Sequence, residues 1–170
     1  MSLFGNYRHT LIVVSSLIIA FTSMAPGQTR SSTSNVERDI KVFLVRWNDA
    51  IAASDATTVR SSYVSDDRFN WFEDGKLTYS VRDQIIAKLG SFPKGTKVKT
   101  RLSDVRVSPV TDKLALSSAS FETRIQMPTG TFSFGGVFTA ILENDGIQWR
   151  FLSGHTSTLP PDRRDRVEER

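Results

Sequence analysis

Apolar side chains at Val36, Ile40, Phe43, Leu44, Trp47 and Ile51 recur at spacings of 4, 3, 1, 3 and 4. That is the stripe of a helix with one buried face. Ser34 and Glu37 stand at the spacing of a capping box, in which each side chain satisfies a free backbone N–H of the first turn, so the helix is predicted to begin there. Asp55 is placed to cap a shorter second helix running to Val64, with Val59 and Tyr63 pointing inward. Phe69 to Phe72 is aromatic and strand-like, and Asp74-Gly75 is a hairpin turn that returns the chain through Lys76 to Thr78. Ser80, with Asp83, is expected to cap a third helix, whose apolar face is Val81, Ile85, Ile86 and Leu89. Gly90 and Pro93 end it.

Beyond Pro93 the period changes from helical to alternating. Val98, Thr100 and Leu102 alternate with Lys97, Lys99 and Arg101. After Ser103-Asp104 the phase flips, so that Val105 and Val107 form the apolar set. A one-residue flip inside a strand marks a β-bulge. Lys113 to Met127, Thr131 to Glu143 and Ile147 to His155 read as further strands, joined by short turns at 110–112, 128–130 and 144–146. Short turns make these strands consecutive antiparallel neighbours. Three helices followed by a long bent meander predict an α+β domain with helices gathered on one face of a curved antiparallel sheet.

The N-terminus adds an export signal to this picture. Arg8, the apolar run from Leu11 to Phe21, and the small residues Ser23, Ala25 and Gly27 follow the order of a secretory signal peptide. The apolar run is about half of the roughly 20 residues a spanning helix needs. An uncleaved membrane anchor is the alternative, because no charged residue lies between Arg8 and Arg30. The expected organisation is a signal peptide at 1–27, a polar flexible leader at 28–35, one domain at 36–158 and a charged tail at 159–170. Cleavage would leave an exported, periplasmic or secreted protein with no membrane attachment.

Composition removes several chemistries. The chain has 170 residues, no cysteine, two histidines and a formal net charge of +4. Without cysteine there is neither a disulfide framework nor a thiolate site. Past the signal segment only His155 remains, so a multi-histidine metal site within one chain is excluded. Basic residues are scattered, except for Lys94 to Arg101, which reads as one strand face, and nothing resembles a nucleic-acid stripe. No Ser-His-Asp order, phosphate loop or dinucleotide fingerprint is present, so no cofactor is expected. Gly135-Gly136 lies inside a strand and marks a kink or a close backbone approach.

The last third carries a resemblance. Phe138-Thr139-Ala140-Ile141-Leu142, then Asp145-Gly146-Ile147-Gln148-Trp149-Arg150-Phe151, then His155-Thr156-Ser157, resemble the ending of SnoaL-like members of the nuclear transport factor 2-like superfamily. Asp55, Asp74-Gly75-Lys76 and the third helix also sit where that family places them, and the likeness covers about residues 36–158. It implies a cone, in which a curved sheet wraps a long helix and leaves a mostly apolar cavity open at one end. The superfamily includes isomerases, dehydratases, cyclases, pure binders and dimerisation modules, so the fold selects no single activity.

Trp47, Tyr63, Trp71, Phe72 and Tyr79 could then wall the cavity, and His155, Glu122 and Arg124 could supply polar points. His155, whose side chain titrates near neutrality, is the candidate general acid or base, with Tyr79 or Glu122 assisting. The resemblance implies that this position faces the cavity, and simple alternation puts Trp149 and Phe151 on its side of the strand. Trp71 and Phe72 point to opposite sides of their strand, so only one of them can line the cavity. Glu122, Arg124 and Gln126 share one strand face, which a solvated surface would also explain. Asp66, Asp67, Glu73 and Asp74 crowd the region where the resemblance implies a catalytic acid, but aligned on Asp66-Asp67 that acid falls at Trp71 or Phe72, where this chain has none. The preferred expectation is therefore a small-molecule binder for a largely apolar ligand. The alternatives are a lyase- or isomerase-type enzyme and a homodimeric interaction module.

Overall fold

A computed structural model describes residues 27–159, with side chains from Thr33 onward. Apart from Gly27 and Leu159, the expected signal peptide and charged tail lie outside the described residues. The elements are α1 (Gly27–Ala52), α2 (Ala56–Ser61), β1 (Asn70–Glu73), β2 (Lys76–Tyr79), α3 (Arg82–Gly90), β3 (Lys97–Pro109), β4 (Leu114–Met127), β5 (Gly130–Asn144) and β6 (Trp149–Thr158). One six-stranded sheet runs in the order β2-β1-β6-β5-β4-β3. All pairs are antiparallel except β1 with β6, which is parallel. The α+β architecture is the one the pattern predicts.

The first helix differs at its start. It begins at Gly27, so the segment expected as a flexible leader is helical and Ser34 and Glu37 lie inside the helix. No proline interrupts this stretch, and Glu37 bonds forward to Lys41 at 2.7 Å, an i,i+4 pair that supports a helix already under way. The predicted stripe is buried as expected, with Ile40 and Leu44 almost fully enclosed and Val36 and Phe43 nearly so. Asp55 caps α2, accepting from the N–H groups of Thr57 and Thr58, both at 3.1 Å. The Thr58 side chain first, and then these backbone bonds, hold its carboxyl below the usual carboxylate range. The cap of α3 falls on Val81 rather than Ser80. Gln84 closes that first turn by reaching back to the N–H of Ser80 at 2.8 Å, which replaces the expected Asp83.

The register of the sheet steps in three places, one of them in the β1–β2 hairpin, where Trp71 pairs with Tyr79 and Phe72 with Leu77. In β3 the register steps between Ser103 and Arg106, with Asp104 at φ 52°, where the phase flip predicts it. The step in β6 is not predicted. Ile141 pairs with Ser153 and Leu142 with Phe151, so Leu152 is the extra residue. Phe151 is fully buried and packs against Phe43, Trp47, Tyr63 and Trp71, with ring centroids 5.0 to 5.6 Å away. The chain after α2 is stitched to this strand, Phe151 donating to Ser62 O at 2.8 Å and Val64 to Phe151 O at 3.0 Å. That stitch holds Tyr63 beneath the sheet.

Candidate functional site

A cavity of about 260 Å³ lies between the inner face of the sheet and the helices. α1 supplies Trp47 and Ile51. The chain after α2 supplies Tyr63, and β1 supplies Trp71 and Glu73. Tyr79 comes from β2, and Ile85, Lys88 and Leu89 come from α3. The sheet completes the wall with alternate residues of β3 and β4, including Thr100, Leu102, Phe121, Thr123 and Ile125, and with Phe134, Phe138 and Thr156. No residue of α3 is fully buried, nor any of β2, so this side of the cavity is thinly covered.

The polar groups fall into two sets. In the first, every group is matched within the wall. Trp47 Nε1 donates to Tyr63 Oη at 3.0 Å, Trp71 Nε1 donates to Thr156 Oγ1 at 3.1 Å, and the hydroxyls of Thr100 and Thr123 meet at 2.8 Å. Burial pushes the Tyr63 phenol well above its ordinary value, so it stays neutral. The second set lines the cavity with Glu73 and Tyr79 half-buried and Lys88 exposed. Desolvation raises the Glu73 carboxyl, with the Asp74 charge adding to it, while Lys88 and the Thr78 hydroxyl oppose the shift. Burial raises Tyr79 as well, and the Glu73 charge adds to that. A carboxyl poised upward beside a phenol and an ammonium can accept, donate or exchange a proton with a bound molecule. Among the described residues no three metal-ligating side chains converge.

Of the residues expected from sequence, Trp47, Tyr63, Trp71 and Tyr79 line this cavity and His155, Glu122, Arg124 and Phe72 do not. The bulge at Leu152 is the reason for His155. It shifts the alternation, so Gly154 and Thr156 face the cavity and His155 turns to the outer face, beside Phe72 and Thr139 in register. There its Nε2 lies 3.4 Å from Ser157 Oγ. Trp149 and Phe151 therefore do not share its face. Glu122 is paired with Arg101 at 2.8 Å on the exposed surface, and Arg124 belongs to the same solvated face. Phe72 alternates outward from Trp71 and is 38% exposed.

Glu73, one of the acids the sequence places in this region, is the one that was not singled out for the site. The cavity does contain an acid, one position past the site where the family alignment placed none. Strand alternation was the available signal: once Trp71 is inward, Glu73 shares its side. Lys88 had a weaker signal, flanking the Ile85–Leu89 face of α3. Asp66 and Asp74 are turn residues as expected. Asp66 binds Arg68, and Asp74 accepts the N–H and hydroxyl of Thr158 at 2.8 and 2.6 Å. Gly136 is a close approach, since a Cβ there would meet the Phe121 ring at 2.9 Å.

Among solved structures, the fold is similar to a proposed scytalone dehydratase from Novosphingobium aromaticivorans, with a TM-score of 0.69 at 12% identity, over 77% of this chain and 89% of that one. It is similar to a nuclear transport factor 2-like superfamily protein from Salmonella enterica serovar Typhimurium, with a TM-score of 0.64 at 15% identity, over 76% and 94%. The β subunit of benzoate 1,2-dioxygenase from Burkholderia mallei is also similar, with a TM-score of 0.61 at 12% identity, over 72% and 89%. At these identities the likeness shows the fold alone. No curated protein matches the chain. Residues 40–161 match the family of SnoaL-like domains, and the chain belongs to that family.

Proposed function

We propose that the cone cavity binds a small, largely apolar molecule carrying one polar group, which Glu73, Tyr79 and Lys88 receive. The supporting observation is the contrast within the wall. Its aromatic donors are already paired with wall acceptors, while Glu73 stands half-buried with its carboxyl raised. A mostly apolar pocket with a few convergent polar groups is the usual form of a small-molecule site. The test is a thermal-shift screen of small apolar compounds with and without a hydroxyl, carbonyl or amine. A ligand at about 100 times its Kd stabilises the folded state by roughly 2.7 kcal/mol. A hit whose shift disappears in Glu73→Gln supports the reading. A hit that Glu73→Gln and Tyr79→Phe both leave unchanged removes these groups from it.

Proton transfer is the second reading, favoured by the presence of Glu73 and Tyr79 on one cavity wall, both half-buried and both raised first of all by burial. Glu73 would take a proton from a carbon beside a ligand carbonyl, and Tyr79 would donate a hydrogen bond to the oxygen that gains charge. The dehydratase name of one structural neighbour is consistent with such chemistry. Exchange of ligand hydrogen for deuterium in D2O, present in wild type and lost in Glu73→Gln, is its test.

Two broader readings complete the proposal. The order of charged, apolar and small residues in 1–27 supports export, to be checked by N-terminal sequencing of the protein recovered from the periplasm or medium. Phe72, Leu77, Leu116, Val137 and Ile141, exposed on the outer sheet face around His155, support a homodimer. Light scattering of wild type against Val137→Glu tests it.

A further inference from the structure

A second cavity, of about 310 Å³, adjoins the one that holds Glu73. Ile51, Leu89, Phe92 and Val98 line both, so these four half-buried apolar side chains stand between them. Val59 and Ile86 continue the apolar wall on the far side, and the exposed Ser54 and Lys94 edge it. The partition is at the opposite end of the first cavity from Glu73. Glu73 is on β1 and Val98 on β3, with three strands between them in the sheet. Four strand spacings of about 4.8 Å make roughly 19 Å along the curve. The segment that carries Phe92 is bonded only locally. The N–H groups of Ser91, Phe92 and Thr96 donate to the carbonyls of Lys88, Leu89 and Pro93 at 3.2, 3.4 and 3.0 Å. The hydroxyls of Ser91 and Thr96 donate to Lys88 O and Pro93 O, both at 2.7 Å. Packing, rather than a bond to the sheet or to α1, therefore holds the Phe92 ring in the partition.

We propose that the two cavities form one elongated site for an unbranched apolar chain with a polar head, the head at Glu73 and Tyr79 and the tail passing Phe92 to lie against Val59 and Ile86. The inference rests on the reading that Glu73 and Tyr79 receive the polar group, and adds the shape of the molecule attached to it. Volume supports it. At about 260 Å³ the first cavity falls below the roughly 300–1,000 Å³ of most small-molecule sites, and joined to the second it falls within that range. The chemistry of the partition supports it too. Its four side chains are all apolar, so a hydrocarbon chain crosses between them without leaving a polar group unmatched. A compact ring system would fill the first cavity and leave the second without a role. A slender chain occupies both, and Phe92 then decides how long a chain enters.

The test is a length series of straight-chain primary alcohols, from hexan-1-ol to dodecan-1-ol, titrated into the full chain. Trp47 and Trp71 line the first cavity, so their fluorescence reports binding. In wild type the Kd is expected to fall about fourfold with each added methylene through the whole series, the factor that burying one CH2 gives. Two variants fill the second cavity and leave the first untouched. Gly90→Phe adds a ring where a Cβ meets nothing within 4 Å, and Ile86→Phe enlarges a side chain that lines the second cavity only. Both should weaken dodecan-1-ol at least about tenfold, the worth of two methylenes or fewer, and leave hexan-1-ol unchanged. Thermal melts check that each is folded, and either one alone decides the outcome. Glu73→Gln should weaken every alcohol by a similar factor. A wild-type gain that stops partway along the series overturns the proposal, since the chain is then halted at Phe92. So does an equal effect of the filling variants on hexan-1-ol and dodecan-1-ol. In both cases loss of binding in Glu73→Gln leaves the polar site standing. Absence of binding at every length overturns the proposal together with the reading it rests on.

Discussion

The ring of Trp71 lies against the backbone of Gly154, its register partner across the parallel β1–β6 pair, where a Cβ on residue 154 would overlap the ring. This contact lets a cavity-lining tryptophan lie close over the sheet while its Nε1 reaches Thr156. It also depends on the bulge at Leu152, which puts residue 154 on the inner face.

Gly154→Ala should therefore displace Trp71. The expected loss of stability is about 1–3 kcal/mol, the range for overpacking a well-filled site, measured by urea denaturation. Ligands found for the wild-type cavity should bind the variant more weakly. Unchanged stability would show that the ring moves aside freely.

Tyr63→Phe removes the acceptor of the Trp47 indole N–H while keeping the ring contacts, edge-on with Phe69 and tilted with Phe151. A buried donor left unmatched costs about 1–3 kcal/mol. Equilibrium unfolding should show that loss, and a change within experimental error would mean that the indole finds another partner.

Glu73 predicts a pH dependence of opposite sign to that of an ordinary surface carboxylate. Its carboxyl is raised in the folded chain, so the folded state keeps the proton to higher pH than the unfolded state does. Its contribution to stability should fall as pH rises from the ordinary glutamate range through the raised value. Glu73→Gln should remove that component, so melting temperatures of variant and wild type should diverge upward in pH in the variant's favour. Asp74 acts the other way. Its lowered carboxyl, held by the Thr158 hydroxyl and N–H, stabilises the fold above the ordinary aspartate range and loses that effect as pH falls through the lowered value.

His155→Ala, at a half-buried position on the outer face, should cost about 1 kcal/mol or less, and should leave every cavity ligand's thermal shift intact. A ligand effect that vanished with His155 would mean that the cavity is not where that ligand binds.

Local pattern carried the sequence of elements. The helical stripe from Val36 to Ile51, the Asp55 cap, the Asp74-Gly75 turn and the bulge at Ser103-Asp104 were legible because each depends on neighbours a few residues away. The β3 bulge was visible because apolar residues on both sides of it register the change of phase. The β6 bulge left no such trace. Phe151 and Leu152 are both apolar, and Gly154 has no side chain to report its face, so alternation carried His155 to the wrong side.

The resemblance in the last third led to the SnoaL-like family, and its conical fold followed from that. Assembly of the site was a different matter. β1 lies beside β6 in parallel, with Glu73 opposite Thr156, and nothing near Glu73 in the chain announces that partner. Trp47, Tyr63, Trp71 and Tyr79 could be named in advance because burying large aromatic side chains is favourable, whereas Phe72 follows the strand alternation outward. Which charged groups reach the cavity depended on strand phase and on pairing between distant segments. Tertiary packing decides both, since a single added residue exchanges the buried face of a strand for the solvated one.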